Sequence, residues 1–257
     1  MIFLEKYFMK SYKGILTAAK FCLFSVLLIF AGLLAGSALS RGEGSFFAVF
    51  SGAGASAASA PQKKITVIID AGHGGMDGGA VSDDGILEKD INLSLAKRLR
   101  ELFALADVNV VMTREDDSML CEADSRHKKR DDLENRVKIA KSYENAVFVS
   151  IHINKFPVEK YSGLQVYYSR ANEDSKRIAE SVQAKTALVL QPQNTRKTKP
   201  ADSSIYVLDN LDIPAVLIEC GFLSNKREAA LLSDAEYQEK LACVIFASVA
   251  DAISNEK

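Results

Sequence analysis

Histidine is scarce in this chain: three occur in 257 residues, so the position of each is informative. Cysteine is scarce too. The four are Cys22, Cys121, Cys220 and Cys243, at spacings without a pattern. Cys22 falls in an apolar leader and leaves an odd number behind it, which argues against a disulfide framework and against a cysteine metal site. Export with few or no disulfides stays open. A charge surplus is also missing, since 32 Lys and Arg face 33 Asp and Glu for a net of −1. A phosphate-binding protein would show a basic excess, so no nucleic acid is expected as a partner. No internal repeat is visible.

What is present starts with the leader. Phe21 to Ser40 carries no charge and is dominated by Leu, Phe, Ile, Val and Ala. That length matches a bilayer core and exceeds an ordinary signal-peptide core. Lys6, Lys10, Lys13 and Lys20 precede it, whereas Arg41 and Glu43 are the nearby charges beyond it. The positive-inside rule then places the N-terminus in the cytoplasm and the domain outside. Small residues at Gly36-Ser37-Ala38 and from Ala55 to Ala60 leave cleavage open; the reading favours an uncleaved membrane anchor over residues 1–40. Residues 41–64 are rich in Gly, Ala and Ser and read as a flexible linker, in which Phe46-Phe47 and Phe50 offer a patch for the membrane surface. Roughly 190 residues remain for 65–257, enough for one well-cored domain and too few for two.

From Lys64 onward strand and helix signals alternate. Ile65 to Asp70 is a β-branched run of the kind found in central strands. Ile91, Leu95, Leu99, Leu102 and Phe103 recur at helical spacing and predict an amphipathic helix over Glu88 to Leu105. A strand is expected at Val108–Thr113, a polar surface loop at Glu115–Arg130, a helix striped by Leu133, Val137, Ile139 and Ala140, and a strand at Val147–His152. Further strands are expected at Gly163–Tyr168, Ile205–Leu208 and Ala215–Glu219, with helices at Ser175–Leu190 and Asp234–Ile253. This order predicts a single α/β domain with a mixed, mostly parallel sheet of about six strands and helices on both faces.

Two of the three histidines close apolar strands. His73 lies in the loop Ala71-Gly-His73-Gly-Gly-Met-Asp77-Gly-Gly79, whose glycines permit sharp turns and close approach of a ligand. His152 ends Val147-Phe-Val-Ser-Ile-His152, an apolar run with few side-chain partners for a merely buried imidazole. The C-terminal ends of such strands are where α/β enzymes place their chemistry. Glu88 opens a helix, where a carboxylate ionises readily; an ordinary first-turn role is the rival explanation, and Asp90 would fill it equally well. Glu219 ends the apolar strand Pro214-Ala-Val-Leu-Ile-Glu219, a costly position unless it meets a polar cleft or a cation. Cys220 should face away from Glu219 and serve packing. His127 stands among Arg126, Lys128, Lys129 and Arg130 and reads as part of a solvated loop. Two nitrogens, one carboxylate ligand and one spare carboxylate suit a hydrolytic zinc site.

Taken together, the segments Ile69-Asp70-Ala-Gly-His73-Gly-Gly-Met-Asp77-Gly-Gly-Ala80, Leu87-Glu88-Lys89-Asp90, Thr113-Arg114, Ser150-Ile-His152-Ile-Asn154 and Ile218-Glu219-Cys-Gly-Phe-Leu-Ser-Asn225 resemble those of the zinc-dependent N-acetylmuramoyl-L-alanine amidases. These are bacterial cell-wall hydrolases, and the likeness covers about Lys64 to Ser254. It implies one zinc ion held by His73, Glu88 and His152, with Glu219 as the catalytic glutamate. Ala71 departs from a frequent proline and Cys220 from a usual valine; neither touches ligation. The N-terminal anchor, the charged segment ending Arg130-Asp-Asp-Leu133, Tyr161-Ser-Gly163-Leu-Gln-Val-Tyr-Tyr168 and Asn194-Thr-Arg196-Lys197 are similar to the spore-cortex amidases of endospore formers. That closer likeness implies a role in making muramic-δ-lactam in cortex peptidoglycan.

By this resemblance the substrate is peptidoglycan and the bond is the amide between N-acetylmuramic acid and L-alanine. Asn154, Arg114 and Arg196 are candidates for substrate contact, as are Arg136 and Lys197, with packing or surface roles as the alternative. A vegetative cell-wall amidase, a zinc peptidase acting on wall peptides and a non-catalytic wall-binding module are the competing readings; the last predicts a missing ligand or glutamate, and none is missing. Some family members carry a helical insertion after the second histidine that occludes the metal. Here only Lys155 to Ser162 separates Asn154 from the next strand, so control is expected from an outside protein activator, the compartment or metal supply. The location implied is extracytoplasmic, with the space between spore membranes as one setting.

Overall fold

The computed structural model describes residues 64–254, and the leader expected over 1–40 and all but the last residue of the linker expected over 41–64 lie outside the described residues. Among the described residues no helix is long and apolar enough to cross a membrane. Six strands are present: β1 Thr66–Ala71, β2 Asn109–Met112, β3 Ala146–Asn154, β4 Gln165–Tyr168, β5 Lys199–Pro200 and β6 Ala215–Phe222. Between them run α1 Glu88–Leu105, α2 Lys128–Lys141, α3 Glu173–Val189, α4 Tyr206–Asp209, α5 Lys226–Ser233 and α6 Ala235–Ser254. The strands form one sheet in the order β2-β1-β3-β6-β4-β5, with β4 antiparallel to β6 and β2, β1, β3 and β6 mutually parallel. The expected mixed six-stranded α/β sheet with helices on both faces is what the chain forms.

Strand parity divides the core. Val67, Ile69 and Ala71 of β1, Val147, Val149 and Ile151 of β3, and Val216 and Ile218 of β6 face the larger core beneath α1, α3 and α6. Ile68, Phe148, Ala215 and Leu217 face a smaller core under α2 and α4. On this second face each central strand turns from apolar to polar toward its C-terminal end: Ile68 gives way to Asp70, Phe148 to Ser150 and His152, and Leu217 to Glu219. Alternation every second residue thus gathers the polar side chains on one side of the sheet.

Three expectations are corrected. Ile205–Leu208 is not a strand: a turn in which Ser204 N donates to Asp202 Oδ1 at 2.9 Å leads into the short helix α4, whose Val207 and Leu208 are buried. A four-residue apolar run has no period by which to choose between strand and helix. The sixth strand is instead the exposed pair Lys199–Pro200, too short and too polar to read as one. The loop expected to reach Arg130 ends at α2, which starts at Lys128; His127 is exposed at its N-terminal flank. Helix α5 was not anticipated, although Asn225 and Glu228 spell a capping box, with Asn225 Oδ1 accepting from Glu228 N at 3.1 Å.

Candidate active site

The β3–β6 register sets His152 beside Glu219, and the β1–β3 register sets Asp70 beside Ser150. Glu88 is the first residue of α1. The leading backbone N–H groups of that helix, which have no partner within it, donate to the glycine loop: Glu88 N to Ala80 O at 2.9 Å and Lys89 N to Gly78 O at 3.2 Å. The helix start is therefore pinned against the loop carrying His73.

That loop has little freedom. His73 has φ 61°, a region non-glycine residues seldom occupy. Gly74 N donates to Asp77 O at 2.9 Å and Asp77 N returns a bond to Gly74 O at 3.0 Å, folding the loop back on itself. The reversal brings Asp77 Oδ2 to 2.9 Å from His73 Nδ1 and leaves Nε2 facing the site. Two glycines are required by space. A Cβ on Gly72 would stand 2.3 Å from the His152 ring, and one on Gly79 would stand 2.6 Å from Glu88 Oε2.

The three side chains converge. Glu88 Oε1 lies 3.2 Å from His73 Nε2 and 3.0 Å from His152 Nδ1, and the three donor atoms are all within 4.8 Å of one another. The rings meet edge to face at 4.9 Å. Glu88 itself is held by Ala80 N at 2.8 Å, Ile153 N at 2.9 Å and Asn92 Nδ2 at 3.3 Å. Burial pushes its pKa up, but the bonds and charges of the two imidazoles outweigh this and hold it well below the carboxylate range. His73 is raised: burial opposes its charge, while Glu88 and Asp77 favour it more strongly.

A metal ion fits this donor set. Roughly 2.0–2.1 Å ligand bonds in a tetrahedral zinc site put neighbouring donors about 3.3 Å apart, close to the 3.0 and 3.2 Å found here. Asp77 on the far nitrogen of His73 is the outer carboxylate that commonly orients a metal-bound imidazole. Glu219 stands apart from the three, beside His152, and its buried Oε2 has no hydrogen-bond partner. Burial, helped by the charge of Glu88 and opposed by the imidazoles, pushes its pKa up to about 7. A carboxylate in that state can exchange a proton near neutral pH. A cavity of about 310 Å³ opens over these groups, lined by His73, His152 and Glu219 and by Leu133 and Tyr206 from the helices on that face. Cys220 is buried on the opposite face, in the larger core, as its parity requires.

The other candidates separate. Asn154 ends β3 and its carbonyl accepts from Leu223 N at 2.9 Å. Arg196 lies on the β4 flank, with NH1 donating to Gln165 Oε1 at 3.1 Å. Arg114 is buried and its guanidinium donates to the carbonyls of Ala71, Gly72, Lys89 and Asp116, which ties the His73 loop to the start of α1. Arg136 is likewise enclosed. Asn92 and Asp77 escaped the sequence reading. Asn92 sits one helical turn after Glu88, a spacing that was available as a signal, whereas Asp77 lies in a loop where no period points to it.

A sequence profile described as N-acetylmuramoyl-L-alanine amidase matches residues 67–253. The germination-specific N-acetylmuramoyl-L-alanine amidase of Bacillus subtilis is 37% identical over 194 residues, covering 74% of this chain and 81% of that protein. The amidase LytC of the same organism is 33% identical over 182 residues, 70% of this chain and 34% of its own length. Among solved structures, the CwlD amidase of Clostridioides difficile in complex with the GerS lipoprotein superposes with a TM-score of 0.71 at 43% identity, covering 74% of this chain and 98% of that one. The amidase AmiC2 of Nostoc punctiforme gives 0.66 at 30% identity, covering 75% and 99%.

Proposed function

The chain belongs to the N-acetylmuramoyl-L-alanine amidase family, and from that premise we propose a zinc-dependent hydrolase that cuts the amide between N-acetylmuramic acid and L-alanine in spore-cortex peptidoglycan. The observation that carries the zinc reading is the placement of Glu88 Oε1 at 3.0 and 3.2 Å from two imidazole nitrogens, with an unpartnered buried carboxylate alongside. His73, Glu88 and His152 would hold the ion. When bound, zinc would supply a Lewis acid and lower the pKa of a water molecule toward neutrality.

The remaining work falls to the chain's own side chains. Glu219 would take a proton from the attacking water and deliver it to the departing L-alanine nitrogen, so that the amine leaves neutral. Asp77 would fix the tautomer and tilt of His73, while Asn92 and the N–H groups of Ala80 and Ile153 would fix Glu88. Asn154 and Arg196 would meet the substrate, with Arg114 acting through the loop it holds.

The cortex assignment is supported by the relative named as germination-specific. Residues 1–40 would anchor the protein in a membrane and 41–64 would tether the catalytic domain on the extracytoplasmic side. Since one similar amidase was solved with a lipoprotein, a protein partner is proposed here too.

Mass spectrometry of muropeptides after digestion, with and without chelator, tests the reaction. New stem peptides with free N-terminal L-alanine are expected, and chelator should abolish them; their persistence in chelator would sink the metal dependence. His73→Ala should bind no zinc by elemental analysis, and full retention would contradict ligation. Asp77→Asn should fold normally and bind zinc about 10- to 100-fold more weakly by competition with a chromogenic chelator. An unchanged affinity would show that Asp77 does not support the ligand.

A further inference from the structure

Two separate cavities on the domain differ in charge. On the α2 side the cavity beside His73 and Glu219 is edged by Asp77 and Asp132, whose charges are met by Lys129 at 3.4 Å and by Arg136 at 2.8 Å. Beyond β6 and β4, on the other side, lies a second cavity of about 430 Å³, lined by Lys160, Arg196 and Arg227 together with Tyr161, Asn194 and Glu228. A line of contacts joins it to the catalytic residues. Gln165 pairs with Glu219 across β4 and β6, and Arg196 NH1 donates to Gln165 Oε1 at 3.1 Å. The Arg196 guanidinium lies 4.5 Å above the ring of Phe222, further along β6, and Tyr161 stacks on that ring at 6.4 Å.

The cations of this second cavity outnumber its carboxylates by three to one. Among the described residues no carboxylate forms a close ion pair with Lys160, Arg196 or Arg227, although the charges of Arg196 and Arg227 act on Glu228. Glu228, the one carboxylate in the lining, is occupied by backbone: Oε1 accepts from Gly163 N at 2.8 Å and Oε2 from Phe222 N at 2.9 Å. Lys160 Nζ rests 5.7 Å from the Tyr161 ring centroid. The chain as a whole is nearly neutral at −1, so three cations against one carboxylate around one cavity stand out from its average surface. An anionic ligand is favoured there.

We propose, resting on the amidase reading above, that the stem peptide runs from Glu219 across β6 and β4 into this cavity, where Lys160, Arg196 and Arg227 recognise its free carboxylates. The glycan then lies on the α2 side. Any linear stem peptide ends in one free carboxylate, and acidic residues within it add others. Exposed ion pairs are individually weak, so the consequence is a preference among substrates and not an absolute requirement.

The test compares two synthetic N-acetylmuramoyl peptides, one with free carboxylates and one with the same carboxyls amidated, using the full-length zinc-loaded protein. The wild type should favour the acid roughly five- to tenfold in kcat/KM. In the double variant Lys160→Gln/Arg227→Gln that ratio should fall toward one. Raising salt to about 1 M, where the screening length is about 3 Å, should do the same to the wild type. A wild-type ratio of one, or a ratio unchanged in the double variant, would overturn the charge reading while leaving the amidase reading intact. Cleavage of neither compound by the wild type would instead overturn the amidase reading.

Discussion

Glu219→Gln should bind zinc like the wild type and lose turnover by roughly 10²- to 10⁴-fold, the range associated with a positioned general acid–base. Glutamine keeps the shape of the side chain, and its carbonyl can still accept a hydrogen bond. It cannot take a proton from water and pass it to a leaving nitrogen. Because Glu219 belongs to β6 and the three converging donors come from the His73 loop, α1 and β3, the substitution leaves that donor set untouched. Zinc content by elemental analysis and single-turnover release of stem peptide together separate the two roles. Near-native release would remove Glu219 from the mechanism, and loss of zinc would make it a ligand.

The same variant has a signature in stability. In the metal-free protein burial lifts Glu219 from 4.5 to about 7, so the folded state holds this proton more tightly than the unfolded chain does. The stability it contributes is complete below pH 4.5 and is lost as pH rises through about 7. Thermal unfolding of chelator-treated protein should therefore fall across that window, and Glu219→Gln should fall less. Equal slopes would mean that the carboxyl is ionised throughout.

Why the converging side chains were legible in sequence, and their supports were not, follows from where each kind of residue sits. His152 and Glu219 end apolar runs, and a charged or polar residue closing such a run stands out without any knowledge of the fold. His73 was marked by its glycines, two of which are demanded by the imidazole and carboxylate packed against them. Glu88 looked like any first-turn glutamate, because what distinguishes it is a pair of histidines from two other elements. Arg114 and Arg136 show the reverse problem. As arginines they suggested surface contact with carboxylates, yet both are enclosed, and most of their partners, such as Ala71 O and Asp70, come from elements distant in sequence. The edge strand Lys199–Pro200 exists only because β4 presents backbone for it to pair with, so nothing in its own two residues announces it.

Arg136→Met should destabilise the domain by about 3–5 kcal/mol, the cost of removing one partner from a buried ionic cluster. The guanidinium is enclosed beneath the His73 loop. NH1 donates to Asp70 Oδ1 at 2.5 Å and to Ala71 O at 2.9 Å, NH2 to His73 O at 2.8 Å, and Nε to Asp132 Oδ2 at 2.8 Å. Thr113 and Ser150 hydroxyls complete the shell of Asp70 at 2.7 and 2.6 Å. Burial alone would raise the Asp70 pKa, but Arg136 and the two hydroxyls hold it below its ordinary 3.8. The stability Asp70 contributes is thus present above pH 3.8 and is lost as pH falls through the lower folded-state value. With methionine in place, Asp70 and Asp132 would remain buried without their cation and the carbonyls of Ala71 and His73 would lose a donor. Urea unfolding should show the loss as a lower midpoint with little change in slope. Arg136→Lys keeps the charge but not the fork that spans both carboxylates and both carbonyls, so it should recover only part of the stability. Because the fork also fixes the backbone on either side of His73, zinc affinity should fall in the same order: wild type, then lysine, then methionine. A methionine variant within about 1 kcal/mol of wild type would mean that the cluster relaxes at little cost and that the His73 loop is held by its glycines alone.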